Sequence, residues 1–214
     1  MKKIGRGGYM YQDNPKSQQQ ASNTKWNIYN CASRLFQEKG FDKVTIEEIA
    51  EASGVSTGLF YYYFSSKQEI LAIYHEQLDE LFSTYYDEVI APQKDQSVAH
   101  KIEDMTLYIC EQCVAWGVNY VQVVYSYMLT NHDFGAVVVE PGRPYFKIMT
   151  ALFQEGKLKG ELCLDYSILS LVRDITILIR GLVVDWCIRG GEENIRDRSR
   201  NLLQIFLRGI ASKP

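Results

Sequence analysis

Apolar residues recur at three- and four-residue intervals along most of this chain, the spacing of one face of a helix. Trp26, Ile28, Tyr29, Ala32, Leu35 and Phe36 predict a helix from Thr24 to Lys39, ended by Gly40. Thr45, with Glu48 three residues on, forms the sequence signature of a capping box and opens a helix that stops near Ser53-Gly54. Ser56 caps a short third helix. Ser65 or Ser66 caps a fourth, whose apolar positions Ile70, Leu71, Ile73, Tyr74, Leu78, Leu81 and Phe82 run on until Pro92. Helices follow at about 98–116, 118–131, Pro144 to about Glu155, Asp165–Ile188 and about Glu192–Ile210. The stretch "HDFGAVVVEPGRP" reads as a loop. Its Val137–Val139 run is the only strand-like segment, and three residues do not make a sheet. The fold class is all-α.

Two of these helices are apolar on more than one side. Ile168, Leu169, Leu171, Val172, Ile175, Leu178, Ile179, Leu182 and Val183 exceed what a single buried face needs, and Leu202, Leu203, Ile205, Phe206 and Ile210 repeat the excess. The second side predicts a homodimer through the last two helices, about 165–190 and 192–210, packed as a four-helix bundle. The run from Ile175 to Ile188 is interrupted by Arg180 and Asp185, so it does not predict a membrane span.

Composition narrows the picture further. The 214 residues are 46% hydrophobic, enough for a real core, and the net charge of −3 leaves the sign of any local patch open. Residues 1–22 are rich in Gly, Gln, Ser and Asn with few apolar positions and predict a disordered arm carrying three net positive charges. That arm is either a floppy terminus or a DNA-touching extension. The first residues lack an apolar stretch of the signal-peptide kind, and five cysteines are an odd number, so the expected location is the reducing cytoplasm. Cys110 and Cys113 have CxxC spacing without a second pair or a nearby histidine. They read as buried thiols, and no metal or cofactor is expected.

Residues 45–62 carry the clearest functional signal. Two short helices joined by "SGVS" form a helix-turn-helix, with Gly54 supplying the left-handed residue the turn needs and Val55 and Phe60 plugging the space between. Ser56, Thr57, Gly58 and Leu59 at the start of the second helix are small enough to let it sit deep in a major groove. The stretch "LFQEKGFDKVTIEEIAEASGVSTGLFYYYFSSKQEIL" (35–71) resembles the DNA-binding head of TetR/AcrR-type transcriptional regulators. The resemblance rests on Leu35-Phe36, Gly40-Phe41, Thr45, Ile49-Ala50, Gly54-Val55-Ser56, Gly58, Tyr61, Tyr63-Phe64 and Lys67 in fixed register. It covers about a quarter of the chain; beyond it only the architecture is similar.

The resemblance implies a head at 23–70 and an effector-binding and dimerisation domain at 71–214. It implies that Thr45 and Ser56 stand at helix starts on the DNA side, that Thr57, Gly58 and Leu59 lie against base edges, and that Tyr61, Tyr62 and Lys67 hold phosphates. Phe60, Tyr63 and Phe64 are expected in the core. One departure is that Lys and Arg between residues 24 and 67 are balanced by five acidic residues, which predicts weak non-specific affinity. In the larger domain, Trp116, Tyr120, Met128, Phe146, Met149 and Trp186 are candidates to line a pocket for a small apolar or amphipathic effector; the bland alternative is that they fill a helical core. The function implied is a repressor released from a palindromic, double-stranded operator by that effector. A small-molecule binding protein with a vestigial head is the alternative. An enzyme is disfavoured, because no residue set has the spacing of a catalytic constellation.

Overall fold

Helical spacing in the sequence becomes helix throughout: in a computed structural model describing residues 15–162 and 165–211, ten α-helices follow one another with short 3₁₀ and π turns between them. The head comprises α1 (Pro15–Lys39), α2 (Ile46–Ser53) and α3 (Thr57–Tyr63). The body comprises α4 (Tyr74–Tyr85), α5 (Val98–Trp116), α6 (Val118–Thr130), α7 (His132–Val138), α8 (Pro144–Leu158), α9 (Ile168–Ile188) and α10 (Ile195–Ile210). The one β-bridge among the described residues joins Leu162 to Ala211.

Three sequence expectations change. Helix α1 begins at Pro15 rather than Thr24, so the disordered arm is corrected from Pro15 onward. Proline at the first helical position loses no hydrogen bond, and the Gln-Gln-Gln-Ala run that follows contains no helix breaker. Residues 1–14 of that arm lie outside the described residues. The second change is α7, which replaces most of the loop, including Val137 and Val138 of the strand-like run. Asn131 caps it, its side-chain oxygen accepting from the Phe134 N–H at 2.9 Å, and Phe134 and Val138 are buried beneath it. Third, the fourth predicted helix is not continuous. It starts as a 3₁₀ segment, Gln68–Ile73, and ends in a π turn, Tyr86–Ile90. Ser66 Oγ accepts from the Glu69 N–H at 3.3 Å as expected, while the Glu69 carboxylate takes the Ser65 N–H.

Two apolar clusters organise the packing. One gathers Phe82, Ile102, Met105, Met149, Ile175, Val183 and Leu203 from α4, α5, α8, α9 and α10. Gly156 lets α8 approach the Leu162 side chain, because a Cβ there would stand 2.5 Å from a Leu162 methyl. The other begins in the head with Ile28, Tyr29, Phe36, Ile49, Phe60 and Phe64. It continues through Ile70, Leu71 and Ile73 into Tyr120 and Val124 of α6 and Phe134 and Val138 of α7. Head and body therefore share one apolar cluster. The Tyr29 and Tyr120 hydroxyls hydrogen-bond across it at 3.0 Å. Burial pushes both phenols up, Tyr120 well above its ordinary value, so this bond stays between neutral groups.

A half-buried ion pair holds α4 to the body. Arg143, the residue before α8, donates from Nε to Asp79 Oδ2 at 2.8 Å and from Nη2 to Oδ1 at 3.1 Å. Both side chains are only 11% exposed. Arg143 also donates to the carbonyls of Val138 (2.7 Å) and His75 (3.3 Å), tying α4, α7 and α8 to one guanidinium.

Phe64 is 2% exposed, with its ring tilted against Phe60 at 5.8 Å. Phe64→Ala is predicted to lower stability by about 3–5 kcal/mol, measured by urea unfolding. A loss under about 1 kcal/mol would remove Phe64 from the set of residues that hold the head together.

Candidate functional site

The reading face begins at Gly54, whose φ of 68° ends α2 in a left-handed turn. Val55 follows, half-buried against the head cluster, and Ser56 starts α3 by accepting the Leu59 N–H on its hydroxyl at 3.1 Å. Asn27 of α1 donates to the Ser53 carbonyl at 2.8 Å and fixes where that turn sits. The aromatic run then divides by helical phase. Phe60 and Phe64 point inward and are buried, while Tyr61 and Tyr62 are 53% and 77% exposed. Tyr63 was expected in the core but is half-buried. It lies at the cluster's edge with its ring against that of Tyr62 at 5.0 Å. Leu59 is 39% exposed, Gly58 exposed and Thr57 half-buried, so all three remain on the outer side of α3.

Thr45, exposed, closes the predicted capping box. Its hydroxyl accepts from the Glu48 N–H at 3.2 Å and its own N–H donates to Glu48 at 2.9 Å. Thr45, Tyr61, Ser65, Ser66 and Lys67 line one shallow cleft of about 440 Å³. Lys67 is corrected in part. Its ammonium donates to the carbonyls of Phe41 and Val44, the latter at 2.9 Å, and stands 4.3 Å over the Phe41 ring. Two of its three N–H groups are thus committed inside the head, and at most one is left for a phosphate. Lys39, also exposed, pairs with Glu48 at 2.8 Å, which balances another cation at the surface.

In the body, side chains from six helices line a mostly apolar cavity of about 60 Å³. Leu78 and Phe82 come from α4, Ile109 from α5, Tyr125 and Met128 from α6, Val138 from α7, Tyr145 and Phe146 from α8, and Thr176, Ile179 and Arg180 from α9. His75 and Arg143 complete its wall. Phe146, Thr176 and Arg180 also line an outer cleft of about 560 Å³ between α8 and α9. The cavity's polar groups are mostly neutral. Burial pushes Tyr145 up and Tyr125 well above the usual phenol range. The guanidinium groups of Arg143 and Arg180 are the exceptions. Burial lowers that of Arg180 below the ordinary arginine value; the Tyr125 and Tyr145 hydroxyls oppose that drop and Arg143 adds to it.

Of the six predicted lining residues, Met128 and Phe146 face this cavity. The other four are corrected. Tyr120 bonds Tyr29 at the head–body seam, and Trp116 packs against both clusters. Met149 and Trp186 are buried in the body core. Each has helical phase toward a neighbouring helix, which an aromatic or methionine fills without leaving a void. Cys110 and Cys113 are buried on α5, and the Cys110 thiol, pushed up by burial, meets the Ser199 hydroxyl at 3.0 Å. Cys163 lies outside the described residues.

Residues 28–73 match the family model for bacterial regulatory proteins of the tetR family. Over those residues the chain carries the DNA-binding domain of the TetR family. The chain is 23% identical to the HTH-type transcriptional repressor KstR2 of Rhodococcus jostii RHA1 over 195 residues, covering 89% of this chain and 93% of that one. It is similar in fold to Thermus thermophilus FadR, a TetR-family transcriptional repressor solved in complex with lauroyl-CoA, at a TM-score of 0.70. That match has 19% identity and covers 89% of this chain and 96% of the other. The Bacillus subtilis transcriptional regulator FadR, solved with stearoyl-CoA, also matches at a TM-score of 0.70 and 19% identity, covering 86% and 98%.

Sequence reasoning missed Asp79, Arg143 and Arg180. The signal for Arg180 was present as one of two charges, with Asp185, inside the apolar run from Ile175 to Ile188, a position that demands a reason. The pairing of Asp79 with Arg143 spans 64 positions and left no local trace.

Tyr62→Phe is predicted to leave the melting temperature unchanged and to weaken binding to the DNA beside the regulator's own gene about tenfold, the loss of one hydrogen bond to a charged phosphate. Fluorescence anisotropy with both proteins checks it. Unchanged affinity would take the Tyr62 hydroxyl out of the DNA interface.

Proposed function

We propose that this TetR-family regulator is a repressor. It binds a palindromic operator as a homodimer, one α3 helix per half-site, and leaves the DNA when an amphipathic effector occupies the body cavity. The observation that carries the reading is the division of α3. Phe60 and Phe64 lock the head, while Leu59, Tyr61 and Tyr62 stay exposed on a helix whose first residues are small. A vestigial head would have no cause to keep two tyrosines on an exposed face. The α3 side chains read base edges, with Thr57 as a hydrogen-bonding group and Leu59 as an apolar contact to a thymine methyl. Thr45, Tyr61 and Tyr62 hold phosphates, joined by the outward proton of Lys67.

Dimerisation has support from the outer face of α9 and α10. Leu169, Ile177, Val184 and Ile188 are exposed on α9, as is Ile205 on α10. An apolar strip of this kind on consecutive helices fits a twin copy related by a two-fold axis. Two heads one turn of DNA apart, roughly 34–36 Å, then match the two half-sites.

The FadR neighbours, solved with acyl-CoA thioesters, support an effector with a long apolar part. Release follows from which helix the cavity touches. Leu78 and Phe82 of α4 form its wall, and α4 continues into the head through the 3₁₀ segment. An occupant that moves α4 changes the spacing of the two heads, and a differential affinity of a few kcal/mol suffices to shift the population. Relatives that are transcriptional regulators support a regulator and not an enzyme. Among the described residues, no helix is long and apolar enough to cross a membrane. The cytoplasm, where the DNA is, remains the proposed location.

Titration against the DNA flanking its own gene tests the reading. The protein is predicted to retard that DNA with two protomers per site, and decanoyl-CoA to release it. Ile177→Glu is predicted to shift the sedimentation coefficient to that of a monomer and to reduce operator affinity about a hundredfold or more, since one head alone lacks the avidity of two. A variant that stays dimeric and binds DNA normally would refute the assignment of this face.

A further inference from the structure

Arg180 sits at the junction of the body cavity and the α8–α9 cleft, lining both together with Thr176 and Phe146. Among the described residues no carboxylate lies within ion-pair distance of it, and its one hydrogen bond goes to the Val138 carbonyl at 3.2 Å. The other arginine of the cavity, Arg143, meets the same carbonyl but is neutralised by the bidentate contact with Asp79. Two guanidinium groups thus line the cavity, the Asp79 carboxylate pairs with Arg143, and the uncompensated charge belongs to Arg180. A half-buried cation without a counter-ion carries a desolvation cost that structure alone does not require.

The surroundings give that charge a direction. On its inner side stand Leu78, Phe82, Ile109 and Ile179, all apolar. On its other side the cleft adds Arg173, and its rim is formed by Leu169 and Ile177 of the proposed dimer face. We propose that Arg180 is the residue that selects effectors by charge: the ligand is an anionic amphiphile whose alkyl chain enters the inner cavity and whose carboxylate or phosphate lies against Arg180. This rests on reading the cavity as the effector site. A neutral ligand leaves the guanidinium uncompensated, and a cationic one adds repulsion in a region of low dielectric. A carboxylate or phosphate supplies the missing counter-ion through charge-assisted hydrogen bonds from the planar fork.

The test is calorimetric titration of the full-length wild type with four ten-carbon probes: decanoate, decanoyl-CoA, decanol and decyltrimethylammonium. At least one anion is expected to bind about tenfold to a hundredfold more tightly than decanol, and the cation most weakly of all. If decanoate leads, the anion is a free carboxylate; if decanoyl-CoA leads, it is the phosphate-bearing thioester. Arg180→Met is expected to abolish the preference for anions while the ligand-free protein melts at the same or a higher temperature. Arg180→Lys is expected to keep the preference in reduced form. Decanol equal to or tighter than both anions on the wild type would overturn the charge selection and leave the cavity as the effector site. So would a preference that survives in Arg180→Met. An Arg180→Met protein that melts lower and loses all four probes would assign Arg180 to holding α7 instead. Failure of all four to bind the wild type would overturn the effector reading of the cavity itself, and this inference with it.

Discussion

The bidentate contact between Asp79 and Arg143 is the constraint on which the arrangement of this chain depends. Helix α4 is the segment between head and body, and Leu78, Phe82 and Tyr85 pack it on the apolar core of the body. One guanidinium fixes it by bonding Asp79, the His75 carbonyl and the Val138 carbonyl together. With both side chains only 11% exposed, loss of either partner leaves a charge without its counter-ion in a place that water reaches poorly. The contact therefore works as a register mark for α4 more than as a source of net stability.

Everything proposed for effector response follows from where that mark stands. Arg143 lines the same cavity as Leu78 and Phe82 of α4, so an occupant meets the helix and its anchor at once. The anchor also reaches the C-terminal end of α7, where Val138 gives its carbonyl to both Arg143 and Arg180. Helix α7 in turn contributes Phe134 and Val138 to the apolar cluster that includes Tyr29, Phe36 and Phe60 of the head. Two routes thus run from the cavity to the reading face, one along α4 and one through α7 and the shared cluster. Both are continuous packing, and the neutral Tyr29–Tyr120 hydrogen bond closes the second.

The head was legible in the sequence because its determinants are local. The Thr45 box, the left-handed Gly54, the Ser56 cap and the phase of Phe60 against Tyr61 are all fixed within a few residues, and each took its expected place. Lys67 departed because its partners, the carbonyls of Phe41 and Val44, lie more than twenty positions away. The body was legible as helices but not as a site. A methionine or aromatic at helical spacing announces burial without saying against what, so Met149 and Trp186 went to the core while Met128 and Phe146 reached the cavity. Helix α7 was hidden behind its valines, whose strand preference yielded to the Asn131 cap and the burial of Phe134.

The link between cavity and heads is tested most directly by the factor by which decanoyl-CoA changes operator affinity, measured by anisotropy on the DNA flanking the gene for wild type and Asp79→Asn side by side. With the anchor broken, α4 no longer has one register for the effector to shift. The factor is then predicted to fall at least about tenfold, a loss of about 1.4 kcal/mol of coupling, while operator binding without effector is retained. A folded Asp79→Asn protein that releases DNA as fully as the wild type would contradict the role of α4 as the lever.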